Sequence, residues 1–284
     1  MTIIENRFRL LHVMVGVTET NGQYNQHCLP LAEKYDLSIC TYFTPQIQPI
    51  SAIDLYEGDN SVRGFFRAVK AALADRPDVV HVHAPATGAL YLLANIFSPS
   101  VMAKSVYTVR NSYMSYKWRN RMLMLLICLG YGRLVMCSQA CYESLPWYLR
   151  WLASGKMDVV SNSVDLRRVD RTVPSSNASE THRPFRVITV GRLIDIKNPE
   201  TLLSAFDEAA NETSELVYIG EGKLRSQLTD SAEKFGRTNQ VSWTGLVARE
   251  EGFRRVAAAD VFVSTSRGEG LPVAVLEAMG CGRA

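Results

Sequence analysis

Short apolar runs alternate along the first half of the chain with segments whose apolar residues recur every three or four positions. The runs are rich in β-branched residues and lie at 11–17, 37–43, 78–83, 105–109, 134–137 and 157–160. Helical spacing is clearest in 61–74, where Phe65, Val69 and Leu73 repeat. Strands that alternate with helices are typical of parallel βαβ units with helices on both faces of the sheet. The pattern predicts a doubly wound α/β domain over residues 1–166.

The second half shows the same alternation more clearly. Predicted strands and helices follow one another at 185–191, 216–220, 223–235, 241–245, 249–258 and 261–265. Further helices begin at Pro199, with the acid Glu200 in the first turn, and after Pro272. Residues 167–184 are polar and lack periodicity, which is typical of a linker. We therefore expect a second doubly wound domain over 185–284, and 284 residues is a length typical of about two domains.

Composition places the chain among ordinary globular proteins, with 47% apolar and 21% charged residues. Its six cysteines include no Cys-x-x-Cys pair, so we expect buried, reduced thiols and neither disulfides nor a zinc module. The N-terminus lacks the apolar core of a secretion signal. The apolar stretch 122–132 is shorter than the ~20 residues that a membrane-spanning helix needs. These features predict a cytoplasmic protein.

Charge is distributed unevenly within a net charge of only +3. Residues 79–142 contain no acid, whereas residues 104–133, here called the basic segment, carry six Lys and Arg side chains. Cations, aromatics and aliphatics are mixed over 113–127, which suits a helix on an anionic membrane surface or a mouth for a phosphorylated acceptor. A core helix with a solvated basic face explains the same pattern. Nothing resembles an RNA-binding or helix-turn-helix motif, so no nucleic-acid partner is expected.

Several common catalytic motifs are missing from the sequence. There is no Gly-x-x-x-x-Gly-Lys-Ser/Thr loop, no Gly-x-Gly-x-x-Gly and no Gly-x-Ser-x-Gly, which disfavours kinases, dinucleotide dehydrogenases and serine hydrolases. No two aspartates stand two residues apart, so an Asp-x-Asp metal clamp is also absent. What remains is Arg192 after a predicted strand and Lys197 just before the helix at Pro199. Two cations beside a helix N-terminus form a candidate diphosphate site.

Two carboxylates accompany these cations near the end of the chain. Glu269 lies between glycines in a loop, and Glu277 lies on the following helix, about 7 Å along its axis from Pro272. Carboxylates so placed can bind hydroxyl groups at opposite ends of an extended ligand. His81 and His83 share one face of a predicted strand and suggest a metal pair, but the sequence shows no third ligand nearby, so no metal site is expected.

An ordered set of motifs resembles the family 4 glycosyltransferases of GT-B fold. In the second half these are Gly191-Arg192…Lys197-Asn198, Gly220-Glu-Gly222, Val241-Ser-Trp-Thr-Gly245 and Glu269-Gly-Leu-Pro…Leu-Glu277-Ala-Met. In the first half they are Asp78-Val-Val-His-Val-His83 and Asn162-Ser-Val-Asp165. The resemblance covers roughly residues 10–284 and implies two Rossmann-like domains, α/β in class. Since relatives continue beyond the position of Ala284, it also implies that the second domain is incomplete at its C-terminus.

The resemblance implies a retaining transferase that moves a sugar from a UDP- or GDP-sugar to an acceptor of envelope, exopolysaccharide or glycolipid synthesis, with no metal and no cofactor. It assigns catalysis to Arg192, Lys197 and Glu269. It assigns donor binding to these three together with Gly191, Gly220, Gly270, Leu271 and Glu277. The acceptor side of the cleft would hold Gly22, His83, Arg110 and Asn162.

One departure from the family pattern concerns the acceptor. Many relatives carry a histidine where this chain has Arg110, and an arginine there suits contact with an acceptor phosphate. The expected partners are thus a nucleotide sugar and a lipid-linked or phosphorylated acceptor, with the protein peripheral on the inner face of the cell membrane. Two alternatives stay open at this point: a catalytically impaired, truncated nucleotide-binding fragment, and a GT-B-like nucleotide-sugar epimerase.

Overall fold

The computed structural model describes residues 7–19, 21–173 and 183–283, and the chain divides into two compact units, 1–162 and 163–284. The strands of the first unit are β1 (Arg9–Met14), β2 (Asp36–Thr41), β3 (Ile53–Tyr56), β4 (Val79–His83), β5 (Ser105–Val109), β6 (Arg133–Met136) and β7 (Met157–Val159). They form one parallel sheet in the order β3-β2-β1-β4-β5-β6-β7. This is the doubly wound topology, with a switch point between β1 and β4.

The helices of the first unit follow the strands. They are α1 (Leu29–Ala32), α2 (Val62–Ala74), α3 (Pro85–Ala94), α4 (Pro99–Ala103), α5 (Trp118–Gly130), α6 (Gln139–Glu143) and α7 (Trp147–Leu152). A π-helical turn, Tyr24–Cys28, leads directly into α1. Ser61 fixes the start of α2, because its hydroxyl accepts a hydrogen bond of 3.0 Å from the N–H of Gly64.

The central strands of the first sheet are buried on both faces. Leu11 and Val13 of β1 are fully buried, as are Val82 of β4 and Tyr107 of β5. A strand buried on both sides reads as a continuous apolar run, and this is why the sequence pattern located these strands. His12 is an exception within this run, since it is polar and fully buried.

The second unit contains a smaller parallel sheet. Its strands are β8 (Phe185–Val190), β9 (Ser214–Ile219), β10 (Val241–Gly245) and β11 (Val261–Phe262), in the order β10-β9-β8-β11. Its helices are α8 (Leu166–Thr172), α9 (Pro199–Ala209), α10 (Arg225–Lys234), α11 (Arg249–Ala257) and α12 (Val273–Gly280). Ile188 and Leu216 are fully buried in the middle of this sheet. The prediction of two α/β units, each with a doubly wound parallel sheet, is confirmed.

The differences from the predicted elements have local causes. Strand β3 was not predicted, because the polar Asp54 interrupts its short apolar run. The predicted linker 167–184 begins with α8 instead of an irregular segment. Asp165 caps this helix by accepting the N–H of Arg168, and the Arg168 guanidinium pairs with Glu250 of α11 at 2.5 Å. Residues 174–182 of the predicted linker lie outside the described residues.

Two further expectations concern apolar residues and thiols. No helix within the described residues is long and apolar enough to cross a membrane. The stretch 122–132 lies mostly in α5, which is 13 residues long. All six cysteines are buried and free, as predicted, and none forms a disulfide.

Candidate active site

A pocket in the second unit opens where β8 and β11 end. Because these strands are parallel neighbours, the residues that follow them meet at the same edge of the sheet. The pocket has about 390 Å³ of empty space, part of it open to solvent. Its wall includes Gly191, Arg192, Lys197 and Glu269, together with the segments 189–190, 264–266 and the first residues of α9 and α12.

Backbone contacts hold the two loops of this pocket in place. The hydroxyl of Thr265 donates to the carbonyl oxygen of Asn198 at 2.8 Å, and the N–H of Arg267 donates to that of Ile196 at 2.8 Å. Asn198 adopts a left-handed conformation, with φ of 51°, just before Pro199 starts α9. The two helix N-termini are therefore fixed beside one another, with their partial positive charge available to an anion.

Gly220 supports the pocket from behind instead of lining it. Its φ is 137°, and a Cβ at this position would lie 2.0 Å from the carbonyl oxygen of Gly191. A Cβ on Gly222 would similarly lie 2.3 Å from the carbonyl oxygen of Leu193. Only glycine permits this close approach of backbone to backbone. The Gly-x-Gly segment thus sets the position of the loop that carries Arg192.

Three of the predicted side chains come together in the pocket. The Nζ of Lys197 donates to Oε1 of Glu269 at 2.5 Å, and both side chains are less than one third exposed. Arg192 is exposed, and no carboxylate of the described residues pairs with it. Lys197 and Glu269 neutralise each other, so Arg192 and the helix N-termini give the pocket its excess of positive charge.

The remaining predicted donor residues lie outside the pocket wall. The Glu277 carboxylate pairs with Arg249, the first residue of α11, and both side chains are about 15% exposed. Gly270 and Leu271 belong to the loop between β11 and α12 but are not among the residues that line the pocket. The Arg249–Glu277 pair had no sequence signal, because 28 residues separate its members.

A second group of polar side chains lies in the first unit, at the switch point between β1 and β4. We call it the histidine cluster; its members are His12, His27, His81, His83 and Arg110. His12 Nδ1 lies 3.0 Å from His83 Nε2, and Arg110 Nη2 lies 2.6 Å from His27 Nε2. The rings of His81 and His83 are 4.2 Å apart. The prediction that His81 and His83 have no third ligand nearby is wrong, because His12 is paired with His81 across the two strands.

Burial lowers the pKa of every imidazole in the histidine cluster. Burial is the main cause for His27, whose pKa falls to about 4, and the Arg110 charge adds to it. Burial also lowers the pKa of His81 to about 3, with help from His27 and Arg110. His12 and His83 have pKa values well below the usual 6.5 for the same main reason. At neutral pH the four rings are therefore uncharged.

The other two residues predicted to bind the acceptor are Gly22 and Asn162, and neither belongs to the histidine cluster. Gly22 lies two residues before the π-helical turn, and among the described residues a Cβ there would meet the side chain of Gln26, at 3.8 Å. Asn162 follows β7, and its N–H donates to the carbonyl oxygen of Cys137 at 3.1 Å. The sequence analysis did not assign His12 or His27 to a site; for His12 the available indication was its place in an otherwise apolar strand.

Two family profiles match consecutive parts of the chain. Glycosyltransferase Family 4 matches residues 34–168, and Glycosyl transferases group 1 matches residues 174–284. The chain is a family 4 glycosyltransferase. Its two parallel sheets are those of the GT-B fold, as the resemblance implied, and the class of enzyme agrees with the positively charged pocket of the second unit.

Curated members of the family align along most of the chain. One is the UDP-Gal:alpha-D-GlcNAc-diphosphoundecaprenol alpha-1,3-galactosyltransferase of Escherichia coli, 26% identical over 89% of this chain and 67% of its own length. Another is the putative glycosyltransferase EpsF of Bacillus subtilis, 25% identical over 79% of this chain and 61% of its own length. The chain therefore spans about two thirds of the length of these two family members.

Among solved structures, Anabaena HepE in complex with UDP-glucose shares the fold. The two superpose with a TM-score of 0.75 at 16% identity, covering 97% of this chain and 79% of that one. At this identity the likeness concerns the GT-B fold alone.

Proposed function

We propose that this family 4 glycosyltransferase transfers a sugar, with retention of anomeric configuration, from a nucleoside diphosphate to an acceptor of polysaccharide or glycolipid synthesis. The observation that carries the proposal is the pocket in which Arg192, Lys197 and Glu269 meet two helix N-termini. These groups are the ones that the family resemblance assigns to the donor. They lie at the carboxyl ends of parallel strands, where ligands of doubly wound sheets bind.

Each side chain of the pocket has a distinct task in this proposal. Arg192 and Lys197 bind the diphosphate and stabilise the charge that develops on it as the sugar leaves. Fixed cations and helix dipoles can serve in place of a divalent metal, and the sequence has no Asp-x-Asp clamp to hold one. Glu269 orients the Lys197 ammonium at 2.5 Å and accepts a hydrogen bond from a hydroxyl of the donor sugar. Glu277 is proposed to bind the ribose hydroxyls, exchanging Arg249 as its partner.

The relatives favour particular substrates. The name of the Escherichia coli relative gives a UDP-sugar donor and a sugar linked through diphosphate to a polyprenol. HepE holds UDP-glucose. We therefore propose a UDP-sugar as the first donor to test, with a GDP-sugar second, and a lipid-diphosphate-linked sugar as the acceptor class.

The surface of the first unit supports a place at the membrane. Trp118 and Met122 of α5 are more than 60% exposed, as are Trp147 and Trp151 of α7. The helices α5 and α7 pack on one another, and we call these four exposed side chains the tryptophan face. The basic segment runs through α5, and exposed tryptophans with nearby cations suit the interface of an anionic membrane. We propose that the protein binds there, at the cytoplasmic face, as a peripheral protein.

The direct test is an assay with labelled donors. Purified protein is incubated with UDP- and GDP-sugars and a short-chain polyprenyl diphosphate sugar, with and without EDTA, and products are separated. We expect transfer that persists in EDTA and a product that keeps the anomeric configuration of the donor. Loss of transfer in EDTA would contradict metal independence, and inversion would contradict the retaining mechanism.

The same assay decides between the alternatives. Nucleotide binding without turnover would favour a catalytically impaired fragment. This alternative is tested because the chain aligns with about two thirds of the length of these two relatives. Interconversion of the free donor without any acceptor would favour an epimerase. Transfer of sugar to the acceptor would exclude an impaired fragment. If the free donor is also not interconverted, an epimerase is excluded as well.

A further inference from the structure

Arg110 is a half-buried cation with no acidic partner. It follows β5, and no carboxylate of the described residues forms an ion pair with it. The groups that act on its charge are the thiols of Cys137 and Cys28 and the hydroxyls of Tyr107 and Tyr116. Burial raises the pKa of Cys28 to about 12, and it also raises the pKa values of both tyrosines, so these three are neutral. The hydrogen bond from Cys141, with help from Arg110, lowers the pKa of Cys137 to about 7.

Hydrogen-bonding capacity is also left over in the histidine cluster. Within the part of the chain that the structure describes, the Nε of Arg110 is buried without a partner, as are Nε2 of His12 and Nδ1 of His83. Among the same residues the guanidinium makes one side-chain hydrogen bond, to His27. A buried donor without an acceptor costs about 1–3 kcal/mol, and a buried charge without a counter-charge costs more. Since the two neutral rings share one hydrogen bond, one of their leftover nitrogens is a donor and the other is an acceptor. The unmet donors are therefore the Arg110 Nε–H and one imidazole N–H, and an anion supplies both an acceptor and the charge that Arg110 lacks.

Three neighbouring imidazoles are also a common set of ligands for a metal ion. One nitrogen from each of His12, His81 and His83 lies within 4.8 Å of the others. Two observations disfavour a cation there. The Arg110 charge acts on all three rings, and it would repel a divalent ion. Metal-bound imidazoles normally donate their second N–H to a partner. As far as the described residues show, only His81 of the three rings has a further partner, the Thr108 hydroxyl at 2.6 Å.

We infer that the histidine cluster binds a phosphate group of the acceptor, with Arg110 as the charged ligand and His27 beside it as a neutral hydrogen-bond partner. Arg110 is accessible enough for a ligand, since it is only half-buried, whereas His12 and His83 are fully buried behind it. A guanidinium presents two parallel N–H groups to a phosphate, and here the Nε–H is unused. The identification of this phosphate as part of the acceptor rests on the proposed function. The binding of an anion to Arg110 does not depend on that function.

The binding test follows the imidazoles themselves. Full-length protein with labelled histidine is titrated with inorganic pyrophosphate and observed by NMR, in a Lys197→Met background that weakens the donor pocket. We expect saturable shifts of the cluster imidazole signals, absent in Lys197→Met/Arg110→Met and retained in Lys197→Met/Lys104→Met. Lys104 is the matched control, because it is an exposed cation of the same basic segment. Shifts that persist without Arg110 would overturn the inference, and so would shifts produced by Zn²⁺ but not by pyrophosphate.

A stability measurement separates ligand binding from a structural role. At about pH 6, well below the pKa of about 7 of Cys137, most of this thiol is protonated, and no carboxylate of the described residues balances the charge of Arg110. Replacing it with methionine removes an uncompensated charge at similar volume, so we expect the ligand-free Arg110→Met protein to melt at the same or a higher temperature than the wild type. Pyrophosphate should then raise the Tm of the Lys197→Met protein and leave that of Lys197→Met/Arg110→Met unchanged. A Tm lowered by Arg110→Met would show that Arg110 serves the fold and would overturn the inference.

The identity of the ligand is tested in transfer assays. Acceptors with the same sugar, linked either to a polyprenyl diphosphate or to a methyl group, are compared in wild type and Arg110→Met. We expect the KM for the diphosphate acceptor to rise tenfold or more in the variant, with the KM for the donor unchanged and the methyl glycoside unaffected. Equal effects on both acceptors would overturn the assignment to an acceptor phosphate. If the protein transfers no sugar at all, the NMR titration still tests anion binding, so the two failures are distinguishable.

Discussion

The pocket proposed to bind the donor depends on single residues whose neighbours are distant in sequence. Lys197 and Glu269 are 72 residues apart, yet Nζ and Oε1 lie within hydrogen-bond distance. The contact arises because β8 and β11 are neighbouring parallel strands whose following loops share one edge of the sheet. The charge of one residue thus determines how the other can act on a substrate.

Replacing Glu269 should strongly slow transfer while sparing the fold. Glu269→Gln keeps the shape of the side chain but removes the charge that orients Lys197 and binds the donor sugar. We expect kcat/KM to fall by about 10²- to 10³-fold, the range for loss of one preorganised group that stabilises a transition state. Glu208→Gln on the exposed face of α9 is the control and should behave as wild type. Wild-type kinetics in Glu269→Gln would contradict the role given to this residue.

Gly220 provides a test of the backbone contact behind the pocket. In Gly220→Ala the new Cβ would lie 2.0 Å from the Gly191 carbonyl oxygen, so the loop carrying Arg192 must move. We expect a loss of about 2 kcal/mol or more in the free energy of unfolding, together with weaker nucleotide binding. The control is Gly236→Ala, where φ is +69° but no atom of the described residues would lie within 4 Å of the new Cβ; it should lose only about 1 kcal/mol. Urea unfolding gives both values, and equal losses would show that the close approach does not matter.

At the scale of elements, the helices α5 and α7 differ from an ordinary surface helix pair. In α5 only Met124, Ile127 and Cys128 are buried, although ten of its 13 residues are apolar or glycine. The sequence analysis left a solvated basic face and a membrane-binding face as alternatives. The exposed side chains of the tryptophan face favour the second, because a solvated face would carry polar residues at these positions.

The tryptophan face should be required for membrane binding and dispensable for folding. We expect Trp147→Ser/Trp151→Ser to reduce binding to anionic vesicles by about tenfold or more, since each exposed indole contributes apolar area at the interface. Vesicle flotation measures the bound fraction, and neutral vesicles should bind wild type weakly. Phe235→Ser, an exposed aromatic of the second unit, is the control. Equal flotation of both variants, or binding that ignores lipid charge, would contradict the proposed membrane docking.

At the scale of the molecule, the fold of the first unit keeps the imidazoles of its four histidines uncharged at neutral pH. Burial lowers the pKa of His12, His27, His81 and His83, whereas each is close to 6.5 in the unfolded chain. As the pH falls below this value, the unfolded chain takes up protons that the folded chain does not. Linkage therefore favours unfolding on acidification.

We expect the free energy of unfolding to fall steadily between about pH 7 and pH 5, by on the order of 1–2 kcal/mol for each buried imidazole. Urea unfolding at several pH values measures the slope. His27→Gln should reduce the slope, because its pKa of about 4 makes it one of the contributing groups. A stability that stays constant over this range would mean that the rings are not buried in neutral form.

Much of this organisation was predictable from the sequence, and the exceptions have physical reasons. Strands buried on both faces produce continuous apolar runs, which located β1 and β4. The Gly-rich loops and the cations before α9 identified three residues that line one pocket, Arg192, Lys197 and Glu269. Strand β3 was missed because one polar residue breaks a run of four, and α8 was missed because polar residues dominate it.

The sequence by itself determined the alternation of strands and helices, the class of fold and the candidates Arg192, Lys197 and Glu269, since these depend on local pattern and on motif order. Only the tertiary structure decided which side chains meet. It paired Glu277 with Arg249, and it placed His12 beside His81 and His83 around Arg110. The register of neighbouring strands sets such contacts, and register joins residues that are far apart along the chain, so no local pattern records it.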